Sequence, residues 1–373
     1  MPEDHEGRLG LSPAPAGENP AGAHSRGPVL VTGANGYVAS WLVRRLLERG
    51  FPVHATVRDP GDPARTEHLR AIARDSPGTL SLFPADLLDP AGFGPAMAGC
   101  GLVFHTASPL IVRGVEDALR DLVEPATAGT RHVLEAASRT PSVRRVVLTS
   151  SIVAVYGDAQ DIEHVEGERF DETHWNTTSS ARHQPYSYSK TVAERLAWEM
   201  ARRQSGWELV ALNPGLVLGP ALSLHTKAEG VLMMRDLGSG YYRFGAPDLE
   251  FAVVDVRDVA EAHLRAALNP DASGRHILVS ESLGLIRIAQ ILRERFGSAY
   301  PFPTRTVSNS AALMLAPTRG IPQAVARRNL GYPLRFDNGR SRNVLGMVYR
   351  PAGESVADHF RQLLDDGLVK APA

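Results

Sequence analysis

From residue 28 onward the chain alternates between two hydrophobic patterns. PVLVTG (28–33) is a short valine-rich run ending in glycine, the pattern of a buried strand, and YVASWLVRRLLERG then places Val38, Trp41, Leu42 and Leu46 on one helical face before a glycine stop. FPVHATVR predicts a second strand, TEHLRAIARD a helix, TLSLFPAD a strand, PAGFGPAMAG a short helix and GLVFHTAS a strand. A long helix over about 116–139 leads to the strand VRRVVLTSS, the helix YSYSKTVAERLAWEMARRQ and the strand in WELVALNPGLVLGP. Near-continuous apolar strands separated by helices predict an α/β fold, a doubly wound parallel sheet covered on both faces. FAVVDVRDVAEAHLRAAL and GRHILVS read as strand, helix and strand that rejoin this sheet.

The alternation fades over about 214–250 and again from 282 to about 365, where prolines and isolated aromatics replace it. The expected organisation is therefore a disordered tail over 1–27, a dinucleotide-binding domain over 28–213 rejoined by 251–281, and a smaller discontinuous substrate lobe. Such a lobe belongs over the carboxyl ends of the strands, where open sheets of this kind bind ligands. The tail is rich in Pro, Gly and Ala and lacks the apolar centre of a secretory signal.

Composition narrows the partners. The 373 residues carry 40 basic and 41 acidic side chains for a formal charge of −1, so no overall charge draws the chain to nucleic acid or an anionic membrane. One cysteine, Cys100, excludes an internal disulfide and a thiolate-rich metal site, and fits a cytoplasmic protein. A small-molecule partner, handled by a monomer or homodimer, is the expectation. Cys100 and His105 read as core residues, and the acidic stretch DIEHVEGERFDE as a solvated loop.

Candidate chemistry begins at the first turn. In VTGANGYVAS, Gly33 suits a tight turn, Gly36 permits close approach of a pyrophosphate and Ala39 lets the helix pack on the strand. Gly33, Asn35, Gly36, Tyr37 and Val38 thus form a candidate phosphate site facing a helix N-terminus. The second strand ends ATVRDP. Arg58, with Arg65 beyond it, suits a 2′-phosphate and hence NADPH, whereas Asp59 keeps the NADH reading open.

The stretch YSYSK (186–190) offers two phenols to one lysine. Tyr186 and Lys190 are four apart and share a helix face; Tyr188 and Lys190 do not. A free phenol has a pKa near 10, and an ammonium about 4 Å away interacts with the phenolate by roughly 4 kcal/mol at an effective dielectric of 20. Lys190 is therefore expected to lower the Tyr186 pKa towards the range of acid–base work. A hydroxyl at a strand end should hold the reacting oxygen, and either Ser150 or Ser151 can be that one, since neighbours in a strand face opposite ways.

These residues in this order resemble the extended short-chain dehydrogenase/reductases, and within them the branch of dihydroflavonol reductases, cinnamoyl-CoA reductases and microbial aldehyde or ketone reductases. The similar segments are VTGANGYVASWLVRRLLERGFPVHATVRDP, FDETHWN and YSYSKTVAERLAWE, within a likeness running from about residue 28 almost to the end. The resemblance implies Ser151 as the catalytic serine, 35 residues before Tyr186. It also implies Asp86 and Leu87 beside adenine, Thr106 and Ala107 on the ribose side, and Pro214 and Val217 at the nicotinamide, with Lys190 on the nicotinamide ribose. The implied reaction is reduction of a carbonyl substrate with NADPH, returning NADP+, with Tyr186 as proton donor. A nucleotide-sugar epimerase or dehydratase, a hydroxysteroid-type dehydrogenase and a non-catalytic NADPH sensor are the alternatives. The tail RRNLGYPLRFDNGRSRNVLGMVYRP is similar to bacterial aldehyde-reductase-like members, so a flavonoid or CoA-thioester substrate is not implied. The stretch LSLHTKAEGVLMMRDL with Tyr241 reads as a partly apolar pocket wall or as core.

Overall fold

The computed structural model describes residues 27–108, 117–223 and 228–370, so the expected tail lies, but for residue 27, outside the described residues. Seven strands form one wholly parallel sheet: β1 (Val29–Val31), β2 (Pro52–Val57), β3 (Thr79–Pro84), β4 (Leu102–His105), β5 (Arg145–Thr149), β6 (Glu208–Pro214) and, later in the chain, β9 (Gly274–Leu278). Their order is β3-β2-β1-β4-β5-β6-β9, so the winding reverses between β1 and β4. Such a switch point opens a crevice at the carboxyl ends of the strands.

The period-2 pattern sets the two faces. Val29 and Val31 pack with Leu42, Leu46 and Leu47 of α1 (Tyr37–Glu48) and with Val259 and Leu264 of α7 (Val256–Leu268). Leu30, between the two valines, faces the opposite core with Val133 and Leu134 of α4 (Glu124–Arg139) and Ala197 of α5 (Pro185–Arg202). Each leucine buried in this way contributes roughly 1.5–3 kcal/mol. Between α1 and α4, the edge strands carry α2 (Pro63–Arg74) and the single turn α3 (Gly94–Met97). α4 continues a π-helical turn, Leu119–Val123, in place of the regular long helix expected.

A second sheet joins β7 (Leu216–Leu218), β8 (Glu250–Asp255) and β10 (Glu281–Gly284) in the order β10-β8-β7. Here the expectation from the sequence is corrected: of the strand, helix and strand read as rejoining the main sheet, only α7 and β9 do so, while β8 pairs with β7 and β10. Gly215 makes this possible, because a Cβ there would come within 2.2 Å of the Ala252 carbonyl oxygen. The remaining helices are α6 (Glu229–Ser239), α8 (Leu285–Phe296), α9 (Asn309–Leu315), α10 (Gln323–Asn329), α11 (Gly339–Val344) and α12 (Ala352–Asp365). Met234 and Leu237 of α6 are fully buried against Ile288, Leu292 and Phe360, so the methionine-rich stretch is core where it is described, while residues 224–227 lie outside the described residues. Tyr241 is 45% exposed and carries the Arg319 guanidinium over its ring at 4.3 Å. A separate cluster of Ile152, Val155, Phe170, Ile277, Leu334 and Phe336 binds the last segment to the main sheet beside β5.

Candidate active site

Six adjacent parallel strands deliver nearly all the sequence-predicted site residues to one edge of the sheet. Gly33 follows β1, Arg58 follows β2, Asp86 follows β3, Thr106 and Ala107 follow β4, Ser150 and Ser151 follow β5, and Pro214 ends β6. The fold thus makes a row out of positions scattered from Gly33 to Pro214.

At the switch point Gly33 has φ +63°, and a Cβ there would lie 3.0 Å from both Cα and Cβ of Ala107. Glycine is required on both counts. Beneath it Thr32 is fully buried, and its Oγ1 accepts from the backbone N–H groups of Thr106 (3.1 Å) and Ala107 (3.0 Å). Its own proton is then free to reach His105 Nδ1 at 3.0 Å. Burial, reinforced by the Lys190 charge, lowers His105 to about 3, so the ring is neutral. His105 and Cys100, whose thiol burial raises to about 12, are core residues as expected.

Helix α1 starts at Gly36 without a side-chain cap, and its first turn holds no acidic residue, so its leading N–H groups face the crevice unopposed. Arg58 is exposed and has no hydrogen-bond or ion-pair partner among the described residues. Asp59 instead turns its Oδ1 back onto the Gly61 N–H at 2.8 Å. Bare helical N–H groups, a close-approach glycine and an unpaired guanidinium fit a dinucleotide carrying a 2′-phosphate. Asn35 and Val38 are half-buried in the same turn. Arg65 is held by Asp62 at 3.3 Å, and Asp86 caps the Leu88 N–H at 2.9 Å. Leu87 packs on Gly129, where a Cβ would meet it at 2.7 Å, and its carbonyl accepts from His132 Nδ1 at 2.8 Å. The Tyr37 side chain departs from the phosphate turn: its hydroxyl donates to the Gly219 carbonyl at the end of β7, which leaves only its backbone beside the turn. Val217 is half-buried in β7 and pairs with Val254, while Pro214 is buried and pairs with Leu278.

On the other side of the switch point, the serine doublet divides. Ser150 is buried and donates to Glu194 Oε2 at 2.5 Å, whereas Ser151 is half-buried and its Oγ caps a 3-10 turn, Ile152–Ala154, by accepting from the Val153 N–H at 3.3 Å. Helix α5 lies on that turn, with Thr191 Oγ1 donating to the Val153 carbonyl at 3.4 Å. Tyr186 and Lys190 sit one turn apart on α5, the Lys190 Nζ 6.0 Å from the centre of the Tyr186 ring. Below Lys190 is a recess of about 20 Å³ lined by His105, Thr130, Thr149, Ser150 and Glu194, room for one water.

The electrostatics differ from expectation. The Tyr186 phenol is raised above its ordinary pKa, first by burial and then by the Glu229 carboxylate of α6; it is not lowered by Lys190. The ammonium lies over the ring face, and its own pKa falls to about 8 through burial, partly offset by Glu194. Glu229 is exposed, though closely surrounded by protein, and faces both Tyr186 and Tyr156.

Four side chains escaped the reading of the sequence. Gln184, the residue before Pro185, is held left-handed at φ 55°, ψ 54°, a strained state for a non-glycine residue. Its amide donates to the Gly157 carbonyl (3.1 Å) and to buried Asp158 (3.2 Å). Asp158 also accepts from His183 Nε2 at 2.7 Å and from Asn329 Nδ2 of α10 at 2.8 Å. So Asp158 fixes the strained entry to α5. In the acidic stretch, Asp161 likewise accepts from the Gly157 and Asp158 N–H groups at 3.0 Å, a structural job rather than a solvated one. Glu194 and Glu229 complete the set. Glu194 carried a signal, its four-residue spacing from Lys190; the others depend on distant segments.

Residues 29–280 match the family model described as the NAD dependent epimerase/dehydratase family. Cinnamoyl-CoA reductase 1 of Petunia hybrida is 37% identical over 347 residues, covering 92% of this chain and 94% of its own. Cinnamoyl-CoA reductase CAD2 of Medicago truncatula is 42% identical over 275 residues, 72% of this chain and 81% of its own. Among solved structures, the yeast methylglyoxal/isovaleraldehyde reductase Gre2, complexed with NADPH, superposes with a TM-score of 0.72 at 27% identity, over 92% of this chain and all of that one.

Proposed function

Since the chain belongs to the NAD dependent epimerase/dehydratase family, in the extended short-chain dehydrogenase/reductase branch, and is an NAD(P)-dependent reductase, we propose that it reduces the carbonyl of a small aldehyde or ketone to the alcohol with NADPH, Tyr186 acting as general acid. The observation that supports this most is the pairing on α5 of Tyr186 with Lys190 beside the Ser151 turn, with Ser150 withdrawn onto Glu194.

The turn Gly33–Val38 and the first N–H groups of α1 would hold the pyrophosphate, Arg58 the 2′-phosphate and Lys190 the nicotinamide ribose. When bound, NADPH supplies the hydride to the carbonyl carbon. Ser151 Oγ–H and Tyr186 Oη–H hold the carbonyl oxygen, and the phenol proton passes to it as negative charge develops there. Burial and Glu229 keep the phenol protonated at neutral pH, the state a proton donor needs. Lys190, with a pKa of about 8, remains charged at pH 7, a cation over the ring face as the phenol gives up its proton.

The test is NADPH consumption against aromatic aldehydes, diketones and β-keto esters. Tyr186→Phe is expected to lower kcat/KM by about 10²–10⁴-fold, while Tyr188→Phe, whose ring lies off the Lys190 face, stays near wild type. Full activity in Tyr186→Phe together with loss in Tyr188→Phe would overturn the assignment.

A further inference from the structure

Glu194 lies four residues beyond Lys190 on the same face of α5, and its side chain is fully buried. Its two oxygens accept from four side chains on three strands and its own helix. Oε2 takes Ser150 Oγ after β5 (2.5 Å) and Asn213 Nδ2 of β6 (2.8 Å). Oε1 takes Trp198 Nε1 of α5 (3.1 Å) and Arg275 Nε of β9 (2.6 Å), with Arg275 Nη2 at 3.4 Å from Oε2. Arg275 is itself fixed, stacking on the Trp175 ring at 4.0 Å and donating to the carbonyls of Glu172 (3.1 Å) and His174 (2.5 Å).

Two lines run from this carboxylate to the candidate chemistry. Through Ser150 it holds one hydroxyl inward, and because neighbouring residues of an extended chain face opposite ways, Ser151 is left to the cleft. Asn213 Nδ2 repeats the restraint, donating both to Glu194 and to the Ser151 carbonyl at 3.1 Å. The second line is charge. Glu194 is the acidic group that offsets the burial of Lys190. The other groups facing that ammonium are neutral His105 at the end of β4, Thr130 of α4, Thr149 and Ser150 at β5, and the Tyr186 phenol, with Glu229 of α6 acting on the phenol and Arg275 on the far side of Glu194.

We propose that Glu194 is a positioning residue for the reductase site, setting which serine of the doublet enters the cleft and placing a carboxylate in the recess that Lys190 shares. The proposal rests on the reading of Lys190 as a cofactor contact. A simple staple between α5 and the sheet would hold the same ion pair with Arg275 but would leave the Lys190 titration where it is.

The test measures NADP+ binding to Glu194→Gln by tryptophan fluorescence from pH 6 to 10, without turnover, so that it stands even if no carbonyl in the panel is reduced. Binding to the wild type weakens as pH rises through about 8, where Lys190 loses its proton. In Glu194→Gln this limb moves to lower pH by about one unit, and kcat, where turnover is seen, drops at least tenfold. An unmoved limb in a folded Glu194→Gln overturns the proposal, whatever the loss of rate or stability. Should Glu194→Gln fail to fold, Ser150→Ala decides: a drop in kcat of fivefold or more with the limb unmoved supports the serine restraint, and wild-type kcat and KM overturn it. If NADP+ binding shows no alkaline limb in the wild type, the cofactor role of Lys190 fails and the proposal falls with it.

Discussion

Replacing Lys190 by methionine is expected to stabilise the protein while abolishing its activity. Burial takes the ammonium from 10.5 to about 8, even after the help of Glu194. At 1.36 kcal/mol per pH unit the charged form costs the folded state about 3 kcal/mol. Methionine keeps most of the stem and removes the charge, and water reaching the half-buried amine lowers the gain to about 1–3 kcal/mol. For a chain of this size that raises Tm by about 1–4 °C.

The sign follows from proton counting. The folded pKa lies below the unfolded one, so below pH 8 both states hold the proton and the folded state bears the full cost. Between about 8 and 10.5 the unfolded chain binds a proton that the folded one has released, and wild-type stability rises with pH. The gap between Lys190→Met and wild type is therefore widest at pH 7 and narrows by pH 9.5. Differential scanning fluorimetry of the ligand-free proteins at the two pH values reads it directly. Saturating NADPH reverses the order, because the variant binds cofactor weakly and gains less from it. A variant that melts below wild type at pH 7, or by the same margin at both pH values, would refute the reasoning.

Other substitutions probe the remaining contacts. Arg58→Ser removes the exposed guanidinium and is expected to raise KM for NADPH about 10–100-fold, the loss of a charge-assisted contact of about 1.5–3 kcal/mol, with KM for NADH nearly unchanged; steady-state kinetics with both cofactors decides it. Asp158→Ala strips the acceptor from His183, Gln184 and Asn329, so stability should fall by about 3 kcal/mol in urea melts, with kcat falling more than KM as the entry to α5 loosens. Glu229→Gln removes the charge that helps hold the Tyr186 phenol up. In the alcohol-oxidising direction, where the phenolate is the base, the rise of rate with pH should then begin at lower pH than in the wild type.

The β/α order was legible because a buried parallel strand writes itself as an apolar run, and each of β1 to β5 is followed by a helix before the next strand. β8 was misplaced for the same reason: FAVVD is as apolar as β5 or β6, and a strand buried on both faces reads alike whichever sheet it joins. What decides its partner is the Gly215 contact with Ala252, a meeting of residues 37 positions apart. The row of strand ends was likewise readable, since parallel order alone brings Gly33, Arg58, Asp86, Thr106, Ser151 and Pro214 to one edge. Asp158 with Asn329 and Glu194 with Arg275 were not, because each is a bond between residues far apart in the chain.

The doublets show where spacing stops being informative. Strand alternation established that only one of Ser150 and Ser151 can face the cleft, but the choice needs an acceptor on the other side, and Glu194 is that acceptor. Helical spacing selected Tyr186 over Tyr188 and brought it to Lys190, yet the inference that the lysine lowers the phenol pKa took the ammonium as the dominant influence. Burial acts on both partners at once, raising the phenol and lowering the amine, and Glu229 arrives from α6 to push the phenol the same way. A phenol beside an amine in a closely packed cleft is thus kept protonated at neutral pH. Running the reaction towards the alcohol asks for that state, whereas oxidation must first remove the proton against both burial and Glu229. Under the proposed mechanism, burial and Glu229 thus favour the reductive direction at neutral pH.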